Sequence, residues 1–327
     1  MNLTLILFVA IALTFDFLNG FHDSANVVAT AIASRAMSPR MALAMAALSN
    51  LVGPFLFGVA VATTIGNEVL EHRAVTVPVA MAALLSAIIW NILTWWFGIP
   101  SSSSHALIGG FVGAAISGYG IEVIRMEGMD KVLIGLFFSP MIGLFFGWLF
   151  MRWTLGVGRL TSPRINTFFR RAQWITAVAL GLSHGTNDAQ KTMGILTLGL
   201  VAFGVLPTFH VPSWVIASCA VAIALGTALG GWRLIRTMGG KFFRIRPIHA
   251  FSSQLASTAV ILGAALLGAP VSTTQVISST IVGSGSAERL QKVRWGVATQ
   301  IVLAWIFTIP ATGALGALFY MLLLPIL

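Results

Sequence analysis

The sequence predicts an all-α polytopic membrane protein with two inverted-topology repeats, each containing a broken helix and a re-entrant helical hairpin. Only 9% of its 327 residues are charged and 57% are hydrophobic, whereas a soluble domain carries about 25% charged residues. The apolar runs are continuous and long, which favours membrane-spanning helices over the alternating pattern of a β-barrel. Two polar motifs each occur twice, which indicates an internal repeat.

The first half of the chain begins with an apolar run that meets a polar step at Asn19–Gly20, where we expect the helix to break. No Lys or Arg precedes this run and no clear cleavage site follows it, so we interpret it as a retained helix rather than a signal peptide. Later, the polar stretch 98–105 precedes a segment too short to cross the membrane straight, which predicts a re-entrant hairpin. The expected segments of this half are 3–34, 41–65, 79–97, 106–117 and 132–151.

The second half repeats this order of segments. Its first run holds the second polar motif in its middle and is long enough for two helical pieces. The polar stretch 268–275 again precedes a short apolar segment, which predicts a second hairpin. The expected segments of this half are 172–206, 213–232, 250–267, 276–285 and 296–325.

The motifs themselves carry the evidence for the repeat. The first motif covers residues 19–26 and the second covers residues 184–191, and aligning them places Asp23 on Asp188. The two hairpin stretches also align, and each has a proline followed by hydroxyl side chains. The other aligned pairs are Asn19 and His184, Gly20 and Gly185, Asn26 and Lys191, Pro100 and Pro270, Ser102 and Ser272, Ser103 and Thr273, Ser104 and Thr274, His105 and Gln275.

Positively charged loops set the expected topology. Lys and Arg concentrate in short loops between apolar runs, which places those loops in the cytoplasm and explains the net charge of +10 without a nucleic-acid partner. The two motif segments then run in opposite directions, so we expect inverted repeats in a plasma (inner) membrane with both termini outside. The expected divisions are a first repeat over 1–151, a basic cytoplasmic linker over 152–171 and a second repeat over 172–327.

Asp23 and Asp188 are candidates for coupling a cation or a proton to transport. A charged side chain at membrane depth costs about 2.5–3.5 kcal/mol, so matched acids in both repeats indicate an ion or proton site. In a helix, Asn19, Asp23 and Asn26 share one face. Carboxylate and amide oxygens suit Na⁺, which makes Asp23, Asn26 and Asp188 a possible sodium site. The alternative is structural, with the acids capping a helix or pairing with Lys191.

Lys191 breaks the symmetry of the motifs, because the first repeat has Asn26 at that position. Its ammonium group can neutralise Asp188 or take the place of one bound cation, and either role favours proton coupling in that half of the site. An ordinary internal salt bridge is the alternative.

The hydroxyl clusters are candidates for anion binding. Helix N-termini offer unpaired N–H groups and a positive dipole end, and hydroxyls add donors without adding negative charge. Ser and Thr also cap helices when no ligand is present. We expect a small oxyanion to lie between the two hairpin tips, in contact with Ser102, Ser103, Ser104, Ser272, Thr273 and Thr274.

Other polar side chains of the motifs are expected to support the site. The three motif histidines and the two acids can be interpreted as a metal site, but no two of these histidines are four residues apart, so we favour hydrogen-bonding roles. The supporting residues are Asn19, His22, His105, His184, Asn187 and Gln275.

With these motifs the sequence resembles the PiT inorganic phosphate transporter family, in its bacterial low-affinity branch. The similar patterns are Gly-x-(Asn/His)-Asp-x-Ala-Asn, whose second copy ends in Gln190–Lys191 instead of Ala-Asn, and Pro-x-Ser-(Ser/Thr)-(Ser/Thr)-(His/Gln), which occurs twice. The resemblance implies phosphate symport driven by Na⁺ or H⁺, a homodimer, phosphate contacts at the six hydroxyls, and cation-linked roles for Asp23, Asn26 and Asp188. His22 and the Gln190–Lys191 pair depart from the commonest motif in the way the proton-driven branch does.

We therefore expect a non-enzymatic symporter that imports inorganic phosphate with H⁺ by alternating access, with no cofactor besides the co-transported ion. Within transport, the alternatives are a Na⁺-coupled phosphate symporter and a sulfate permease of the same family. An intramembrane Ser–His hydrolase does not need hydroxyls duplicated by a repeat, and a channel does not need matched acids deep in the membrane.

Overall fold

The computed structural model describes residues 3–159 and 165–326 of the chain, apart from the side chains of residues 158 and 159. This part of the chain is helical, with one isolated antiparallel bridge between Leu70 and Ile124. The helices are α1 Leu3–Ala33, α2 Pro39–Val52, α3 Ala60–Thr63, α4 Val77–Phe97, α5 Ser103–Tyr119, α6 Met126–Arg159, α7 Ile165–Ala202, α8 Ser213–Leu229, α9 Trp232–Gly240, α10 Pro247–Leu266, α11 Thr273–Glu288 and α12 Trp295–Leu323.

Several of these helices are long and apolar enough to cross a membrane, which confirms the predicted class of multi-pass helical membrane protein. Among the described residues, five helices pass this test, namely α1, α4, α6, α10 and α12. Two further spans are bent pairs, one over Pro39–Phe55 and Ala60–Glu68 with an angle of 70°, and one over Ser213–Leu229 and Trp232–Gly240 with an angle of 72°. The outer faces carry exposed apolar side chains such as Phe145 and Phe307, which suit contact with lipid.

The prediction of a broken helix at each polar motif is wrong. Helix α1 continues through Asn19–Gly20, and α7 continues through the whole second motif. The glycines serve close helix packing instead: a Cβ on Gly20 would lie 2.1 Å from the carbonyl oxygen of Ile223 in α8, and one on Gly185 would lie 2.6 Å from the Cα of Asn50 in α2. The bends occur in the second span of each half.

The two predicted breaks after α4 and α10 are present and are built alike. Gly98 and Gly268 take left-handed φ values of 67° and 70°, which an L side chain rarely adopts, and so end the preceding helices. Ser102 then caps α5 by accepting the backbone N–H of His105, and Ser272 caps α11 in the same way. Because the caps begin these helices, α5 and α11 are longer than the sequence predicted.

The last long helix of each half packs against the hairpin of the other half. Helix α6 contacts α10 and α11, and α12 contacts α4 and α5. Both helices carry an internal proline, Pro140 in α6 and Pro310 in α12, at positions that align when the hairpins are aligned. The halves are therefore interlocked in space, although they follow one another in sequence.

Within the predicted linker 152–171, α6 extends to Arg159 and α7 begins at Ile165. Within the predicted basic segment, Arg164 and the side chain of Arg159 lie outside the described residues. The division of the chain into repeats over 1–151 and 172–327 stays a prediction.

Helices α1 and α7, which carry the two motifs, cross in antiparallel directions. Phe8 lies beside Gly199, the side chains of Asp16 and Thr192 are hydrogen-bonded, and Val27 lies beside Gly181. As the residue number increases along α1, the number of the contacting residue decreases along α7, so the two helices run antiparallel.

Each motif helix passes through two apolar clusters with its polar stretch between them. One cluster contains Phe8 and Phe15 of α1 with Met193 and Leu196 of α7. The other contains Val27 of α1 and, from α7, Ala177 and Leu180. The polar residues are therefore enclosed by apolar packing at both ends.

We expect Gly20→Ala to destabilise the protein by about 1–3 kcal/mol, because overpacking of a close helix crossing has this magnitude. Gly263→Ala is the matched control, since a Cβ at that position in α10 meets nothing within 4 Å. Thermal unfolding of both variants in the same detergent measures the difference. A melting temperature for Gly20→Ala equal to that of Gly263→Ala would contradict the close-packing role.

Candidate functional site

The two acids of the motifs meet the tips of both predicted hairpins in one buried cluster. The tips are the polar stretches 98–105, before and at the start of α5, and 268–275, before and at the start of α11. On the first hairpin, Ser103 Oγ donates a hydrogen bond to Asp23 Oδ2 at 3.1 Å. On the second hairpin, Thr273 Oγ1 donates to Asp188 Oδ2 at 3.0 Å and lies 3.5 Å from Asp23 Oδ2. Thr273 therefore bridges the two carboxyl groups.

The carboxyl group of Asp23 has further partners from α1 and α11. His22 Nδ1 lies 2.6 Å from Oδ1, and Thr274 Oγ1 donates to the same oxygen at 3.3 Å. Asn26 directs its amide Nδ2 at Thr274 Oγ1, 3.0 Å away, and does not contact the carboxyl group directly. All four side chains are at most 2% exposed, so these hydrogen bonds operate in a dry environment where they are strong.

Lys191 connects the second acid to both hairpins. Its Nζ donates hydrogen bonds to Asp188 Oδ1 at 2.5 Å, Ser104 Oγ at 2.6 Å and the carbonyl oxygen of Val271 at 2.9 Å. The three acceptors are a carboxylate, a hydroxyl and a backbone carbonyl, which are also the oxygen types that bind hard cations in proteins. The ammonium group of Lys191 thus occupies a place suited to a cation.

A second group of side chains in the same cluster can hold a cation. One ligand atom each from Asp23, His184 and Asp188 lies within 4.8 Å of the others, and all three residues are buried. His184 Nε2 lies 3.1 Å from Asp188 Oδ2, and its Nδ1 lies 3.3 Å from the side-chain oxygen of Asn50. The structure therefore brings together two of the three residues predicted for sodium, with His184 in place of Asn26.

The sequence predicts His184 as a supporting residue and disfavours the metal interpretation, because no two motif histidines are four residues apart. The spacing of His184 and Asp188, one helical turn apart, was a usable signal for a shared ion. Asn50 had no such signal, because it follows a run of small apolar residues in α2 and belongs to neither motif. Asn50 Nδ2 donates to Thr227 Oγ1 at 2.8 Å, so this amide fixes the orientation of His184 from a neighbouring span.

The remaining predicted residues tie the hairpin tips to each other. Ser102 Oγ lies 2.7 Å from His105 Nδ1, and His105 Nε2 lies 3.3 Å from Gln275 Nε2. The hydroxyls of Ser102 and Ser272 accept backbone N–H groups as helix caps. Their predicted contact with an anion stays a prediction, as does that of the other four hydroxyls.

Two predicted supporting residues are buried with amide groups that make no hydrogen bond to any described residue. Both atoms of the Asn19 amide and both atoms of the Asn187 amide lack a partner, although these side chains are at most 1% exposed. Buried polar groups in proteins almost always have a partner. Amides in this condition beside two acids are suited to a transported ion or its hydration shell.

We expect Asp188→Asn to destabilise the protein by about 3–5 kcal/mol, because it leaves the buried Lys191 ammonium group without its carboxylate. Adding Lys191→Met should recover most of this loss, since the unpaired charge is then absent. The measurement is thermal unfolding of both single variants and the double variant in one detergent. A double variant that is as unstable as the sum of the two single variants would contradict the pairing.

Comparison with known proteins identifies relatives over nearly the whole chain. A probable low-affinity inorganic phosphate transporter of Bacillus subtilis is 42% identical over 325 residues, which cover 97% of this chain and 96% of the relative. A protein of the same description from Mycobacterium bovis is 46% identical over 98% of this chain and 78% of the relative.

The fold is also that of a solved structure described as the sodium-dependent phosphate transporter, with a TM-score of 0.90, full coverage of both chains and 23% identity. This likeness confirms the arrangement of the helices. The sequence pattern of the phosphate transporter family matches residues 19–161 and 155–316. On these matches the protein is a transporter rather than an enzyme, and the chain belongs to the phosphate transporter family.

Proposed function

We propose that this protein imports inorganic phosphate together with protons, as a secondary active symporter that works by alternating access. The observation that carries the proposal is the meeting of two hydroxyl-bearing helix N-termini with two buried acids. Membership of the phosphate transporter family, and relatives described as low-affinity inorganic phosphate transporters, support phosphate as the substrate.

The anion is expected between the hairpin tips. Helices α5 and α11 begin at Ser103 and Thr273, so their N-terminal N–H groups and positive dipole ends lie at the cluster. The hydroxyls of Ser103, Ser104, Thr273 and Thr274 now bond to carboxylate or carbonyl oxygens. Each can turn to donate to a phosphate oxygen instead, and Ser102 and Ser272 complete the predicted set.

Charge repulsion supplies the coupling. A phosphate anion held by these hydroxyls lies close to the carboxyl groups of Asp23 and Asp188. Two like charges about 4 Å apart repel by about 4 kcal/mol at an effective dielectric constant of 20, which would weaken binding about a thousandfold. Phosphate therefore binds well only when an acid is protonated or paired with a cation, so anion and cation move together.

The contacts of Lys191 favour a proton over a sodium ion as the coupling cation. Its ammonium group already contacts the three kinds of oxygen that a sodium ion would use, and it is attached to the chain, so it cannot be transported. If each repeat has one cation position, Lys191 permanently fills the position beside Asp188. The positive charge that transport still has to supply is the one that neutralises Asp23.

Alternating access follows from the proposed inversion of the repeats. The antiparallel crossing of α1 and α7, together with the equivalent hairpin caps, supports two-fold related halves in a plasma membrane with both termini outside. The site is buried between two apolar clusters, and separating one cluster at a time would open it to one side. The homodimer implied by the resemblance is part of this proposal.

A sodium-coupled symporter is the second candidate function. The cluster of Asp23, His184 and Asp188 favours it, because its ligand atoms are close enough to share one ion. Sulfate transport is the third, and it is disfavoured because sulfate has no proton to donate to the acids near neutral pH.

We expect phosphate uptake into proteoliposomes to follow an imposed pH gradient, acid outside, and to ignore a sodium gradient of the same size. Asp23→Asn should abolish the response to the pH gradient, because it removes the acceptor proposed for the coupling proton. Radiolabelled phosphate measures uptake, and unlabelled sulfate at equal concentration should not reduce it. Uptake driven by sodium alone would establish the second candidate, and competition by sulfate would establish the third.

We expect Lys191→Asn, which copies Asn26 of the first motif, to make phosphate uptake at least tenfold more responsive to sodium. The reason is that the variant removes the fixed cation and leaves Asp188 and Ser104 free to bind an ion. Lys292→Asn, in the loop after α11, is a control that removes a lysine outside the site. Sodium-independent uptake by a folded Lys191→Asn variant would show that the ammonium group does not stand in for a cation.

A further inference from the structure

A third buried acid lies in the membrane-spanning part of α1, outside the site described above. The side chain of Asp16 is 0% exposed. Thr192 Oγ1 of α7 donates a hydrogen bond to its Oδ1 at 2.8 Å, and the Cys219 thiol of α8 also faces the carboxyl group. The second oxygen, Oδ2, has no hydrogen-bond partner among the described residues.

Among the described residues, no cation forms an ion pair with this carboxyl group. Lys191 and Asp188 of α7 act on Asp16 with opposite signs but form their ion pair with each other. Helix α4 carries no ionisable residue, and α8 offers only the neutral Cys219. The other ionisable groups of the helices packed on α1 are Arg40 of α2, Arg170, Arg171 and His184 of α7, Arg233 and Arg236 of α9, His249 of α10 and Glu288 of α11, together with His22 and Asp23 on α1 itself.

Most of these groups face other parts of the molecule. Helix α9 packs at the opposite end of α1, where Gly239 meets Ala29, and His249 is paired with Glu288. A carboxylate at membrane depth without a counter-ion costs several kcal/mol, whereas the protonated acid is neutral. These surroundings favour the neutral form of Asp16 over its carboxylate.

The repeat provides an internal control for the role of this residue. The alignment of the motifs places Gly181 at the position of Asp16 and Val27 at that of Thr192. The structure pairs these two equivalents as well, with Val27 Cγ1 3.5 Å from the position of a Cβ on Gly181. Helices α1 and α7 therefore make equivalent contacts at two places, once through Asp16 and Thr192 and once through the apolar residues Gly181 and Val27. Packing of these helices does not require an acid at this position.

A polar face of α1 connects Asp16 with the site. Asp16, Asn19 and Asp23 follow one another at helical spacing, and the whole step from Asp16 to Asp23 is about 10 Å along the axis. Asn19 lies between the two acids, is 1% exposed, and has both amide atoms unpartnered among the described residues. This buried amide gives a proton a polar intermediate position between the acids.

We propose that Asp16 is a second proton-binding site, which takes up the transported proton in the first half of α1 and passes it to Asp23. The proton binds to a carboxylate oxygen of Asp16. When that O–H bond breaks, a water molecule hydrogen-bonded to the Asn19 amide accepts the proton and releases one to a carboxylate oxygen of Asp23, where the new O–H bond forms. No electrons are transferred, and the proton leaves with phosphate on the other side of the membrane. The inference rests on the proton-coupled symport proposed above.

The test compares two activities of Asp16→Asn in proteoliposomes. Exchange of labelled for unlabelled phosphate, without any gradient, should stay within about twofold of the wild type, because the anion contacts are untouched. Accumulation driven by an imposed pH gradient should fall at least tenfold, and Asp16→Glu should restore most of it. Thr197→Val, a buried hydroxyl of α7 that likewise lacks a partner among the described residues, is the control and should change neither activity.

The outcomes separate this inference from the proposed function. If the wild type exchanges phosphate but does not respond to a pH gradient, proton coupling itself is wrong. If the wild type responds and Asp16→Asn responds equally, only the role of Asp16 is overturned. If Asp16→Asn loses exchange too, infrared spectroscopy decides: a protonated-carboxyl band that shifts in Asp16→Glu supports the inference, and an unchanged band overturns it.

Discussion

A positive charge buried in a membrane has to be matched by oxygen atoms, and the ammonium group of Lys191 imposes this requirement on α7 and on both hairpins. Its acceptors are the carboxylate of Asp188, the hydroxyl of Ser104 and the carbonyl of Val271. An unpaired buried ammonium group costs several kcal/mol. Lys191 therefore helps hold the two hairpin tips together, beside the direct Ser104–Val271 and His105–Gln275 contacts, and any movement that separates the tips has to give Lys191 a new partner.

The motif helices can surround this charge closely because glycine removes the side chain where they cross their neighbours. Gly20 and Gly185 occupy equivalent motif positions, and each meets the backbone of the second span of the other half. Apolar clusters then cover the polar stretch on both sides. This arrangement keeps water away from the acids, which strengthens each hydrogen bond in the site and raises the cost of each unpaired charge.

Local patterns predicted the features of the fold that depend on local physics. Continuous apolar runs gave the spans, and the Gly–Pro–Ser stretches gave the breaks before Ser102 and Ser272. The predicted break at Asn19–Gly20 failed because a glycine needed for close packing has the same local signal as one that ends a helix. The packing of α6 and α12 against the hairpin of the opposite half could not be predicted from sequence, since it depends on tertiary contacts. In the site, alignment of the motifs identified Asp23 and Asp188, while Asn50 carried no repeat signal.

The departures from symmetry between the halves account for the charge of the proposed transport cycle. With neutral histidines, Asp23, Asp188 and Lys191 give the empty site a net charge of about −1, and a symmetric site with Asn in place of Lys191 would have −2. Binding dihydrogen phosphate adds −1, and one proton on Asp23 returns the loaded site to the charge of the empty one. A symmetric site without the lysine would need two cations to reach that same loaded charge of −1, so the lysine reduces the number from two to one. In the proposed cycle, that single cation is the proton passed from Asp16 to Asp23.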